Sequence, residues 1–215
     1  MRLLLLLFAV GSAAAAEPNP AGEYRLVNEQ DVASALKLQR DGRFQYFLIA
    51  GALDEQAQGR WSARDGVVTL VTEPRPVPPL FRQVRPGRID AAALRVEVSS
   101  PAGRGIAGVD LRIGFDEGAP VDGYTQEDGW SLAAEEKRAP RWIELSVPMH
   151  RFASPRFPID LAAGNALAFT LVSNDIGVLD FDGIRIEVER KALVVHRDGG
   201  LLRYEAVPKG TSKAR

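Results

Sequence analysis

The stretch Leu36-Lys37-Leu38-Gln39-Arg40-Asp41-Gly42-Arg43-Phe44-Gln45-Tyr46-Phe47-Leu48-Ile49-Ala50 decides the fold. Leu36 and Leu38 alternate, Asp41-Gly42 supplies a tight hairpin corner, and Phe44, Tyr46, Leu48 and Ala50 then share one face of a returning strand. Successive side chains of an extended chain point to opposite sides, so a period of two buries one face and leaves the other to water. Phe47 falls opposite Phe44 and Tyr46, so at least one ring looks outward, where an aromatic side chain can mark a partner surface.

The same pattern extends in both directions. Upstream, Tyr24 and Leu26 alternate; downstream, Trp61 and Ala63 lead through a second corner, Asp65-Gly66, to Val68, Leu70 and Thr72. The run Glu73-Pro74-Arg75-Pro76-Val77-Pro78-Pro79 cannot donate a full ladder of hydrogen bonds, because proline lacks an amide hydrogen, and it reads as a connector or an edge. Alternation resumes with Leu94, Val96 and Val98, then Val109, Leu111, Ile113 and Phe115, then Trp130 and Leu132, then Ile143, Leu145 and Val147. After the proline-bearing stretch Pro148 to Pro158 it restarts with Leu167, Phe169 and Leu171, then Ile184, Ile186 and Val188, then Leu193 and Val195. It ends with Leu202, Tyr204 and Ala206 beyond the turn Asp198-Gly199-Gly200. Asn28 to Leu38, with Val32, Ala35 and Leu36, and Asp128 to Lys137 also satisfy helical spacing, but the all-β class survives either assignment.

The N-terminal block resembles the small lipocalin-like barrels of bacterial envelope proteins. The resemblance is carried over about fifty residues by Leu36, Leu38, Asp41, Gly42 and Phe44, then Gly59, Trp61, Val68 and Leu70. The middle block looks like a transthyretin-like or carboxypeptidase-regulatory-like β-sandwich. Its counterparts are Leu94 to Val98, Gly103 to Gly108, Val109 to Ile113 and Tyr124-Thr125-Gln126-Glu127-Asp128-Gly129-Trp130. That resemblance implies an accessory or binding module without catalytic residues.

About five strands precede the middle block, whereas a closed antiparallel barrel of this size needs about eight to remove its edges. The C-terminal segment offers the missing ones. The expected organisation is a barrel from residues 17–88 plus 165–208 with the sandwich, residues 89–164, inserted into it, the proline-rich stretches at 73–79 and 148–158 sitting near the two junctions. Two sequential β domains are the plainer alternative, and the sequence leaves both open.

Met1-Arg2, the apolar run Leu3 to Val10 and the small residues Ala13 to Ala16 read as a secretory signal peptide, cleaved after Ala16. The apolar run is far shorter than the roughly 20 residues of a spanning helix, so no transmembrane segment is expected. Removal of residues 1–16 leaves 199 of the 215, long enough to bury a proper core in one or two domains. The chain has no cysteine, which excludes a disulfide framework, a thiolate metal site and a lipidated cysteine. Without Arg2 the 27 basic side chains fall to 26 against 28 acidic ones, interspersed along the chain, which argues against a nucleic-acid surface. The basic stretch 209–215 reads as a disordered tail.

No catalytic constellation emerges. His150 and His196 lack ligand-spaced partners, so no metal site is expected. There is no Gly-x-Ser-x-Gly elbow. Gly103, Gly105 and Gly108 have dinucleotide-fingerprint spacing but are followed by strand residues instead of the required helix, and read as a turn. Among the acidic pairs Asp54 and Glu55, Asp116 and Glu117, and Asp180 and Asp182, the last could share a strand face, but the further oxygen ligands of a calcium loop are missing. The candidate ligand-binding residues are Phe44, Tyr46 and Trp61, which could line a barrel pocket for a small apolar molecule or simply fill the barrel. The expectation is an exported, periplasmic or secreted, non-enzymatic binding or envelope-associated protein without a cofactor. A module docking to another envelope protein, and a hydrolase with an unrecognised site, are the alternatives.

Overall fold

A computed structural model describes residues 19–90, 93–197 and 200–208. The expected signal peptide, the basic tail 209–215, and Asp198 and Gly199 of the last hairpin corner lie outside the described residues. Among the described residues there is no α-helix; the chain is built of strands, and Asn28 to Leu38 resolves as strand from Val32 onward.

The strands β1 (Gly22–Leu26), β2 (Val32–Leu38), β3 (Arg43–Ala50), β4 (Leu53–Arg64) and β5 (Val67–Thr72) form a meander. After the intervening strands described below, β15 (Asp182–Glu189), β16 (Ala192–Arg197) and β17 (Gly200–Ala206) complete it. The order β1-β17-β16-β15-β5-β4-β3-β2 closes into an eight-stranded barrel. Every neighbouring pair is antiparallel, and β1 pairs with both β2 and β17, so no edge remains. The two Asp-Gly corners differ. At the second, Asp65 and Gly66 both have positive φ, 52° and 73°, as a two-residue hairpin turn requires. At the first only Gly42 is left-handed, and the Gln39 N–H donates to the Arg43 carbonyl, so the loop spans three residues with glycine in the left-handed place. The inward face carries Leu36, Leu38, Phe44, Ala57, Val68, Leu70, Ile186, Leu193 and Tyr204, all buried together.

Between the two barrel segments the chain forms two further sheets. In one, β6 (Leu80–Gln83), β7 (Arg95–Ser99), β10 (Trp130–Ser131) and β14 (Ala166–Val172) run in the order β10-β7-β14-β6. In the other, β8 (Asp110–Phe115), β9 (Val121–Tyr124), β11 (Pro140–Val147) and β12 (Phe152–Ala153) run in the order β12-β11-β8-β9, with β13 (Phe157–Pro158) also on β11. Both sheets contribute to one apolar core: Val96, Val98, Leu167 and Phe169 from the first, Leu111, Ile113, Ile143 and Leu145 from the second.

The expected boundaries need correction. Residues 80–83 and 166–172, assigned to the barrel from sequence, belong to the intervening sheets. Leu167, Phe169 and Leu171 have the alternation of a barrel strand, but β14 runs parallel to β7, and all three side chains enter the intervening core. Period two specifies a strand and its buried face, not its sheet. The barrel halves therefore end at Thr72 and resume at Asp182. The second proline-bearing stretch is no junction either. Pro148–His150 is a single 3-10 turn between β11 and β12.

The true junctions are Glu73–Pro79 and 173–181, and they are tied to each other. Val77 N–H donates to Asp175 Oδ2 at 2.8 Å, Asp175 N–H returns to the Val77 carbonyl at 3.2 Å, and Asn174 Nδ2 donates to the Pro78 carbonyl at 2.8 Å. The prolines leave carbonyls without competing amide donors, and Asp and Asn side chains supply the missing pairing.

Candidate functional site

The return connector does more than link the sheets to the barrel. Gln56 N–H donates to the Gly177 carbonyl at 2.9 Å and Leu179 N–H donates to the Gln56 carbonyl at 2.8 Å, so residues 177–179 cover the part of β4 that extends beyond β5. The buried Thr72 hydroxyl then clamps the chain, donating to the Leu179 carbonyl at 2.9 Å and accepting from the Phe181 N–H at 2.9 Å. These bonds set the Phe181 ring against two barrel aromatics: Phe44 at 6.0 Å, stacked, and Tyr46 at 5.4 Å, edge-on.

Beside this aromatic group the barrel interior holds a cavity of about 290 Å³. Its wall is apolar and comes from six strands: Leu36 of β2, Tyr46 of β3, Leu70 of β5, Ile184 and Ile186 of β15, Val195 of β16, and Leu202 and Tyr204 of β17. One polar group inside is fixed. Ser34 Oγ lies 2.6 Å from the Phe47 carbonyl and 2.9 Å from the Tyr204 hydroxyl; with the single serine proton on the carbonyl, Tyr204 donates to Ser34.

The mouth lies where β5 leaves the barrel and β15 returns to it. Leu179, Asp180 and Phe181 of the connector form one side, His196 another, and Arg151, carried by the intervening sheets, reaches it from outside the barrel. Asp180 is held by Arg75, with Nε 2.8 Å from its carboxylate, and that hydrogen bond raises the Arg75 pKa above the ordinary arginine value.

Of the three residues singled out from sequence, Tyr46 lines this cavity. Phe44 is 1% exposed and packs under Phe181 instead of facing the cavity. Trp61 is half-buried; its indole Nε1 donates to the Gln39 carbonyl at 2.8 Å while its own N–H donates to the Gly42 carbonyl, which makes it the brace of the first hairpin corner. Phe47, as its register requires, is on the outer face and 42% exposed. The inward phase of β5, β15, β16 and β17 marked the missed wall residues Leu70, Ile184, Ile186, Val195, Leu202 and Tyr204 just as clearly as it marked Tyr46. Arg151 gave no local signal, since nothing in Pro148 to Pro158 indicates that a neighbouring barrel lies beside it.

The acidic pairs take other places: Asp116 approaches Arg141 at 4.0 Å, and Asp180 faces Arg75 across the connectors. Among the described residues no three His, Asp or Glu side chains converge as metal ligands would, and no helix is long and apolar enough to cross a membrane. Gly103 to Gly108 form a turn, closed by Ser99 to Gly105 bridging. In comparisons with known proteins, no protein-family profile, curated protein or solved structure matches this chain.

Proposed function

We propose that this chain is an exported, non-enzymatic binding protein whose lipocalin-like barrel holds a small apolar ligand, with the intervening sheets forming a transthyretin-like sandwich that serves as an accessory module. The cavity beside Tyr46 carries this reading. Its volume of about 290 Å³ sits near the lower end of the roughly 300 to 1,000 Å³ of small-molecule clefts, and its lining combines aliphatic walls with a few oriented polar groups. A closed eight-stranded barrel is wide enough for one such molecule.

The test uses the chain from Glu17 onward and the neutral fluorophore N-phenyl-1-naphthylamine, whose emission rises in apolar surroundings. Saturable binding of one molecule per chain is expected. Leu202→Trp fills the cavity and abolishes it; Leu201→Trp, on the outer face of the same strand where Leu201 is 54% exposed, leaves it intact. Equal effects of the two substitutions, or no saturable binding, remove the reading.

A further inference from the structure

A second cleft, of about 560 Å³, opens where the core of the intervening sheets meets solvent, and its size falls well inside the roughly 300 to 1,000 Å³ of small-molecule sites. It shares no residue with the barrel cavity, so binding in one does not depend on binding in the other. Leu94, Leu132 and Pro140 are its buried lining. Two loop groups border it: one carries Arg88 and Leu161, and the other, residues 133–139, carries Lys137.

Arg88 is held from two directions. Its Nη2 donates to the Ala162 and Leu161 carbonyls at 2.9 and 3.4 Å, and the Asn165 side chain bonds both polar backbone groups of the next residue, Ile89, at 2.9 and 3.2 Å. Gly87 and Gly164 pass so closely beside it that a Cβ on Gly164 would stand 2.2 Å from the Gly87 carbonyl oxygen. Lys137 is anchored in the same manner, its Nζ donating to the Ala134 carbonyl at 2.7 Å. These acceptors are neutral, and among the described residues neither of the two exposed cations has an acidic partner. Nε and Nη1 of Arg88 and two of the three Lys137 N–H donors make no hydrogen bond among the described residues.

The described lining holds one carboxylate, Glu136, and Arg138 already satisfies it with guanidinium and backbone N–H bonds. Asp90, Glu135 and Asp160 lie on the same loops but outside the lining, and Asp160 Oδ1 accepts the Ala162 N–H. We propose that this cleft is a binding site for a small organic acid, its carboxylate drawn to Arg88 and Lys137 and its apolar body lying against Leu94, Leu132 and Leu161. A guanidinium fork matches a carboxylate in shape as well as charge, and side chains already tied to backbone carbonyls lose little freedom when they receive one.

Three probes with one ring system and different heads test this: 2-naphthoate, 2-naphthylmethanol and 2-naphthylmethylammonium, titrated into the isotope-labelled chain beginning at Glu17 while backbone amide shifts are followed by NMR. Naphthoate is expected to move the Ile89, Leu132, Lys137 and Leu161 amides saturably, with half-saturation at about three- to tenfold lower concentration than the alcohol, the size of a partly solvated ion pair. The ammonium probe should bind most weakly. Lys137→Ala, at an exposed position, should remove part of the preference, and its combination with Arg88→Ala should bring naphthoate to the level of the alcohol. Arg88→Lys should fall between, because the charge stays and the fork is lost. Equal affinity for the three heads, shifts confined to barrel amides, no saturable shift at these four amides, or a naphthoate preference that survives the double substitution overturns the proposal. Each of these outcomes leaves the barrel cavity to be judged by its own test, because the amide shifts report which of the two regions is occupied.

Discussion

The barrel and the intervening sheets bury the same kinds of side chain, and the barrel leaves a cavity beside them. In the intervening core Val96, Ile113, Ile143 and Leu145 are fully buried, and paired rings fill the space around them, Phe81 with Phe152 at 5.3 Å and Phe157 with Phe169 at 5.1 Å. In the barrel the rings of Phe44, Tyr46 and Phe181 gather beside the return connector, and Leu36, Leu70, Ile186 and Val195 face open volume. Two sheets can approach until their side chains interlock, whereas the width of a closed cylinder is set by strand number and tilt. Aliphatic side chains of ordinary length therefore fill the first interior and fall short of filling the second.

The sharpest way to break this comparison is to shorten one side chain in each interior. Ile143→Ala leaves a new void among residues that cannot close it, and should cost about 3 to 4 kcal/mol. Leu70→Ala widens a cavity that already opens to the mouth, so it should cost about 2 kcal/mol, close to the transfer contribution alone. Urea unfolding reads the two separately: Trp61 reports on the barrel, Trp130 and Trp142 on the intervening sheets, and Trp61→Phe isolates the latter pair. Equal costs would mean that the barrel is as tightly filled as its neighbour.

The same contrast explains what could be read from the sequence. Alternation at Leu36, Leu38, Phe44 and Tyr46, with Asp41-Gly42 and Asp65-Gly66, identifies strands, corners and the inward face, because each depends on near neighbours alone. The sheet to which Leu167, Phe169 and Leu171 belong was not legible, since barrel and non-barrel strands bury side chains with one period. The eight-stranded closure followed from counting strands and disallowing free edges. Phe44 and Trp61 passed for cavity residues because an inward aromatic is chosen on type, while its neighbour Phe181 and its acceptor Gln39 are matters of register and return path. Arg151 was not legible either, because its place at the mouth depends on the barrel lying beside residues 148–158, which no local pattern records.

The tie of the return connector to β5 is the second place to test. Thr72→Val keeps the shape and removes the hydroxyl shared by the Leu179 carbonyl and the Phe181 N–H, leaving two half-buried backbone groups without their partner at a cost of about 1 to 3 kcal/mol. The loss should be local: faster hydrogen exchange at the Phe181 amide and weaker fluorophore binding, with Trp130 and Trp142 unfolding at the same urea concentration as before. Unchanged exchange at Phe181 would show that the remaining backbone bonds, from the Thr72 N–H to the Phe181 carbonyl and between Gln56 and residues 177 and 179, together with the Phe44 and Tyr46 ring contacts, hold the connector without the hydroxyl.

The smallest expected difference is electrostatic. In the intervening sheets Glu136 accepts the Arg138 guanidinium at 2.6 and 2.9 Å, and the Arg138 backbone N–H at 3.0 Å. The same arginine donates to the Ala119 carbonyl at 2.8 Å and lies over the Phe115 ring at 4.1 Å. The Arg138 hydrogen bonds hold the Glu136 pKa at about 2, against an ordinary 4.5. A carboxylate whose folded pKa lies below its unfolded one contributes stability that is complete above pH 4.5 and fades as the pH falls toward 2. Glu136→Gln removes that dependence, so in the Trp61→Phe background the decline of stability between pH 4.5 and 2 should become shallower, while the difference from the parent is largest near neutrality. Salt should narrow the gap, because the pair stands close to solvent. An unchanged acid limb would mean that Arg138 is held by the Glu117 and Ala119 carbonyls and by Phe115, and that the carboxylate merely accompanies it.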